Sequence, residues 1–213
     1  MNSSYIEKNI FLYYSTGMKR RTAHETIKAI TITASMGALI IVMGLTHIGF
    51  IPWFFASITI MQIPVILAAL IAGKYSGLGT GFIFGVFSLI QAAIAPIGEL
   101  DPFFVNPLVS ILPRCLMGLG AFYCFAFFNK IPKFPKIANY TISGLFASLV
   151  NTCLVLFMLV VFKAIDFKMF IAVLIANGLL EAAASAIITT IVMTLITMPK
   201  KKSKFSDDEE EWK

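Results

Sequence analysis

IKAITITASMGALIIVMGLTHIGF, residues 27–50, carries one charged side chain, Lys28, in 24 residues. A bilayer-spanning helix needs about 20 mostly apolar residues. In hydrocarbon every backbone N–H and C=O must pair within the protein, so a run of this kind predicts a membrane-spanning helix. A cleavable signal segment has an apolar stretch of only about 7–15 residues. This run is longer and follows a polar leader with Lys19, Arg20 and Arg21, so it reads as a first transmembrane helix.

The same pattern continues along the chain. Spans are expected at residues 27–50, 57–72, 78–97, 107–128, 138–162 and 167–198, which gives an all-α integral membrane bundle of six transmembrane helices. Composition agrees: 58% hydrophobic and 13% charged, with mean hydropathy +0.87, where soluble domains carry roughly a quarter charged residues. The breaks hold the punctuation: Gly73 to Gly77, then Glu99, Asp101 and Pro102, then Asn129 to Lys136 with two prolines, then Lys163 to Lys168. The 57–72 span is short and has to be tucked among its neighbours or extended by its loop.

Basic residues set the expected orientation. With both termini cytoplasmic, fourteen Lys and Arg lie inside and only Lys163 and Lys168 outside; Arg114 is within a span. The expected organisation is a cytoplasmic leader at 1–26, a six-helix membrane domain at 27–198, and a charged cytoplasmic tail at 199–213. The acidic run in the tail, Asp207 to Glu211, reads as solvated. The net charge of +6 therefore speaks for topology and not for nucleic acid. Cys115, Cys124 and Cys153 form no CxxC pair and read as small buried thiols.

Ionisable groups inside spans are costly and default to a functional hypothesis. Arg114 and Glu181 are the two clear cases. Arg114 is seven residues past Pro107, roughly 10 Å below that helix end. Asn177 is four residues before Glu181 and shares its face. Asn151 and Thr152 sit within the fifth span, and Arg114, Asn151 and Asn177 are expected to converge in the outer half of the bilayer. Two readings stand: an Arg114–Glu181 ion pair that glues helices, or a ligand cavity lined by these groups. Gln62 and Gln91 are polar positions near outer span ends, and Asn106 precedes the fourth span. His47, Trp53 and Phe54 belong to an aromatic loop that is either an interfacial belt or a lid over an outward-facing cavity. Ala34 and Ala38, with Gly37 between them, form a small-residue helix face that permits close helix approach, as do Gly77, Gly79, Gly81 and Gly85.

There is no GxxxxGK[ST] loop, HExxH or metal-ligand cluster, and no serine, histidine and acid combination. No catalytic residue, metal or cofactor is expected. The remaining classes are a binding subunit, a stand-alone secondary carrier or channel, and an intramembrane enzyme of unseen motif.

The stretches 62–73 (QIPVILAALIAG), 77–85 (GLGTGFIFG) and 106–114 (NPLVSILPR), with Asn151-Thr152 and 177–181 (NGLLE), resemble the substrate-binding S components of energy-coupling factor (ECF) transporters. The resemblance covers about residues 34–197 and is greatest to the subgroup that includes the pantothenate S components, which often have His where Gln62 stands. It implies a six-helix subunit that captures a vitamin or related micronutrient: pantothenate as first guess, with riboflavin, a pyridoxine-type or thiamin-related compound, or folate as the others. It implies as partners a coupling transmembrane subunit and two ATPase subunits, in the cell membrane. It implies further that Ala34 and Ala38 dock on the coupling subunit, that residues 49–56 form a gate, and that the ligand lies among the last three helices. ATP hydrolysis falls to the partners.

Overall fold

The apolar runs fold as helices, and five of them are long and apolar enough to cross a membrane. The computed structural model describes residues 23–46, 49–53, 56–96 and 100–198. In chain order these form α1 (Ala23–Leu45), β1 (Phe50–Trp53), β2 (Ala56–Thr59), α2 (Gln62–Ala72), α3 (Lys74–Ile94), α4 (Pro107–Asn129), α5 (Lys136–Val161) and α6 (Phe167–Thr197). A 3₁₀ turn, Asp101–Val105, leads into α4, and α6 contains a π-helical stretch, Leu174–Gly178. The expected all-α membrane bundle is what the chain forms, with one small addition. The first span ends at Leu45 instead of Phe50, and the second starts at Gln62 instead of Ser57. Between them the chain turns into an antiparallel hairpin that pairs Phe50 with Thr59 and Trp53 with Ala56.

The short second helix is the centre of the bundle. Every residue of α2 from Gln62 to Leu70 is buried. A helix that is apolar on all sides has no face to show to water or lipid and belongs in a core. Its Ile66 and Leu70 meet Ile40 of α1, Phe84 of α3, Met117 and Phe125 of α4, Tyr140 of α5 and Met193 of α6 in one apolar cluster. The five long helices instead turn large apolar side chains outward, among them Ile27, Phe82, Phe127, Phe157 and Ile191. Those are the lipid-facing sides of a multi-pass membrane protein. The three cysteines are free and half-buried on such sides, not fully buried.

Eleven residues of helix rise about 16 Å, roughly half of the ~30 Å hydrocarbon core. The hairpin makes up the difference. Its base is tied to α1, with Gly49 N donating to Met43 O at 3.0 Å and Ile60 N donating to Gly49 O at 3.1 Å. At the other end of α2, Gly73 turns the chain straight into α3 with φ 89°, a conformation that a side chain would strain.

Helices α3 and α4 touch backbone to backbone. A Cβ at Gly77 would sit 2.8 Å from Gly118 O, and one at Gly85 would sit 2.6 Å from Ile111 Cα. At Gly81 and Gly118 it would strike the Arg114 and Gly77 carbonyls. Gly79, two residues out of this register, faces Thr33 of α1. The glycine face predicted for the third span is thus a contact face, and it fixes where Ser110 and Arg114 stand.

Overpacking against rigid backbone costs about 1–3 kcal/mol. Gly81→Ala and Gly118→Ala should each lower the thermal unfolding midpoint in detergent. Gly120→Ala, whose Cβ would meet its nearest neighbour, Phe146 Cε1, at 3.6 Å, should leave the midpoint unchanged or raise it. Equal midpoints for all three variants would show that the α3–α4 contact is not this tight.

Candidate functional site

Gln62 is the first residue of α2, and its side chain is fully buried. The sequence placed it near a span end, and it does begin the helix, but that helix end is buried inside the bundle. Its amide donates both hydrogens, to Ser148 Oγ at 2.8 Å and Ser185 Oγ at 2.9 Å. Ser148 lies at the midpoint of α5 and Ser185 near the midpoint of α6, so one side chain joins three helices in mid-bundle. Asn151 Nδ2 reaches Gln62 Oε1 at 3.5 Å, a weak bond at that length. Asn151 Oδ1 is buried with no partner.

One turn before Ser185, Glu181 is also buried. Its Oε1 accepts from the backbone N of Thr59 at 2.8 Å, and its Oε2 from the Thr152 hydroxyl at 3.0 Å. Asn177 sits a turn earlier in the π-helical stretch, buried, with no side-chain hydrogen bond among the described residues. Such insertions into a helix recur at functional sites. Together Asn177, Glu181, Ser185 and Thr189 form a buried polar stripe at four-residue spacing along α6.

Arg114 occupies a second corner, and its neighbour Pro113 explains how. Proline has no N–H, so inside α4 the carbonyl of Val109, four residues before Pro113, loses its helical donor. Arg114 Nη1 donates to that carbonyl at 2.8 Å. The guanidinium lies between two rings, 5.3 Å from the centre of Phe84 and 5.1 Å from that of Phe104. Buried cation–ring contacts are worth about 2 kcal/mol. Phe104 is held in turn by Ser110, whose hydroxyl donates to the Phe104 carbonyl. Arg114 Nε is buried and has no partner.

Arg114 and Glu181 form no direct ion pair among the described residues. Each has its own neutral partners. Among the described residues Gln62 bonds Ser148, Ser185 and Asn151, Glu181 bonds Thr59 and Thr152, and neither Arg114 nor Asn177 hydrogen-bonds to either group. Asn106 caps α4, its Oδ1 accepting from Leu108 N at 3.0 Å. Gln91 is half-buried near the far end of α3 with no side-chain hydrogen bond among the described residues. His47 and Phe54 lie outside the described residues, and of Trp53 only the backbone, in β1, is described. Ala34 and Ala38 are exposed on α1, whereas Gly37, Ile40 and Gly44 of the same helix face inward.

Sequence reasoning missed Ser148, Ser185, Phe84, Phe104 and the Thr59 amide. Ser148 and Ser185 had a signal: each is four residues from a polar residue already singled out, Thr152 and Glu181. The Arg114–Val109 bond was signalled by Pro113.

The Pro113–Arg114 arrangement is testable by stability. Arg114→Leu orphans the Val109 carbonyl, a loss of about 1–3 kcal/mol. Pro113→Ala restores an N–H at that position. The double variant Pro113→Ala/Arg114→Leu should therefore unfold at a higher temperature than Arg114→Leu alone. A double variant no more stable than the single one would remove the carbonyl as the reason for Arg114's placement.

No curated protein matches the chain. Residues 28–196, which take in all six helices apart from the first turn of α1 and the last residue of α6, match the family model for the ECF transporter, substrate-specific component. A bundle of apolar helices around a polar centre, spanned by that match, leads to one conclusion: the chain belongs to the family of substrate-specific components of ECF transporters, membrane subunits that bind substrate and are not enzymes.

Proposed function

We propose that this chain captures a vitamin or related micronutrient outside the cell membrane and hands it across with an ECF module, made of a coupling transmembrane subunit and two ATPases. The observation that supports this best is the buried polar core around Gln62. A purely structural core has little reason to keep an arginine Nε and an asparagine Oδ1 unpaired at depth, since each unpaired buried group costs about 1–3 kcal/mol. A ligand that offers an acceptor to Arg114 and a donor to Asn151 would recover both. Asn177, Glu181, Gln62 and, nearer the helix ends, Asn106 and Gln91 complete the candidate lining.

Pantothenate is the first candidate. Its carboxylate suits a guanidinium, and its hydroxyl and amide groups suit Asn151 and Asn177. The rivals are the vitamins named above. In this reading both termini are cytoplasmic, residues 1–26 and 199–213 flank a membrane domain at 27–198, and the loop with His47, Trp53 and Phe54 closes over the ligand. Mass spectrometry of the small molecule that co-purifies with the protein would name it.

The exposed Ala34–Ala38 face of α1 is the proposed docking surface. Among the described residues it is left exposed, while the chain's own helices pack against a neighbouring face of α1 through Gly37, Ile40 and Gly44. Ala38→Trp should leave ligand binding within about twofold of the parent. Uptake should fall by about tenfold or more, because helices that meet through small residues cannot approach past an indole. Full uptake with normal assembly in Ala38→Trp would reject this face. A chain that drives uptake in proteoliposomes without ATP or partners, and that pulls down no ATPase, would instead be a stand-alone carrier.

A further inference from the structure

A strand at membrane depth creates a problem that a helix does not. Its outward-facing amides have no partner of their own, and lipid offers none. The last residue of β2, Thr59, meets this problem in mid-bundle. Its N–H is taken by Glu181, at the midpoint of α6, at 2.8 Å. The other carboxylate oxygen is held by Thr152 of α5 at 3.0 Å, so the acceptor is fixed in direction by a neighbouring helix. The other leg is tied to α1 by Gly49 N, which donates to Met43 O, and Ile60 N donates to Gly49 O across the foot of the hairpin. The hairpin thus has a backbone hinge on α1 and a side-chain clasp on α6. Glu181 is poised for this because no cation claims it: among the described residues it forms no ion pair, and a carboxylate accepts amide hydrogens more strongly than a neutral oxygen does.

We propose that Glu181 is a positioning residue that clasps the 50–59 hairpin to α6, so that opening the entrance to the polar core means breaking the Thr59–Glu181 hydrogen bond. Calling the hairpin an entrance rests on the function proposed above; the clasp itself does not. It gives Glu181, one of the candidate lining residues, a second task in holding the site closed, and Thr152 the task of orienting it.

Hydrogen–deuterium exchange of the full chain in detergent, followed by mass spectrometry, reads the clasp directly. Stripping the Thr59 amide of its buried acceptor sets an expected effect of about tenfold on local opening. In Glu181→Leu, peptides covering residues 50–60 should exchange about tenfold faster, while peptides from α4 and α5 keep the parent rate. Glu181→Gln retains an acceptor oxygen and should stay within about threefold of the parent. Should Glu181→Leu fail to fold, Thr152→Val serves, with an expected rise of about threefold confined to the hairpin. Hairpin exchange at the parent rate in the folded variant used, or an equal increase in all helices, would overturn the assignment. No arm uses ligand or transport, so a chain that co-purifies with no ATPase and yet shows selective hairpin release would lose the proposed function and keep the clasp.

Discussion

A helix of half the membrane's thickness lies in the middle of this bundle, and the hydrogen bonds of Gln62 make that possible. An eleven-residue helix begins where other helices are half-way across, so its first turn exposes backbone and side-chain polarity to an apolar interior. Gln62 meets Ser148 and Ser185 there, on the two helices that flank the polar core. Replacing that amide with an apolar side chain would strand two hydroxyls; shifting α2 by one residue would move Gln62 off both. The register of α2, and with it the depth of the hairpin above, follows from this one side chain.

The other corner of the core rests on a chain of necessities that starts at proline. Pro113 frees the Val109 carbonyl, Arg114 takes it, and the guanidinium settles between Phe84 and Phe104. The glycines of α3 let α4 come close enough for Phe84 to reach. The arginine is thereby held by a carbonyl and two ring faces, none of which neutralises it. A directly paired Arg114 and Glu181 would have satisfied each other and closed the site to any third party. Kept apart, each retains capacity: Arg114 an open Nε, Glu181 a grip on the hairpin.

Most of the bundle was legible in the sequence because membrane helices announce themselves through length and apolarity. The short second span, and its need to be tucked inside, was legible for the same reason. The end of α1 and the start of α2 were not. Residues 48–61 are as apolar as the helices on either side, and hydropathy does not distinguish an apolar strand from a continuing helix. Arg114, Asn151 and Glu181 stood out because charge and amide are rare at depth. Ser148 and Ser185 did not, since serine is common in membrane helices and only its four-residue spacing from Thr152 and Glu181 sets these two apart. That Arg114 and Glu181 stay unpaired could not be read from the chain at all: it depends on Val109, Phe84 and Phe104, whose part in the site comes from packing.

The hairpin, as the proposed entrance, would let the core combine burial with access. A ligand site closed by packed helices would have to separate extensive apolar surfaces to open. A hairpin tied to α1 at Gly49 and to α6 at Thr59, as the proposed entrance, has fewer attachments to undo. On the α6 side the polar attachment is Thr59 to Glu181, a backbone donor to a side-chain acceptor. When such a bond opens at an entrance that water reaches, both groups can be rehydrated, so the net cost is that of an ordinary hydrogen bond, about 1–3 kcal/mol, instead of the much larger cost of leaving both bare in hydrocarbon. That places the opening in the range that a ligand's own contacts can repay. The same logic does not extend to Gln62, whose partners Ser148 and Ser185 are buried in mid-bundle on two different helices. In this reading, the polar groups at the rim are the movable ones, and those at the floor hold the helices in place.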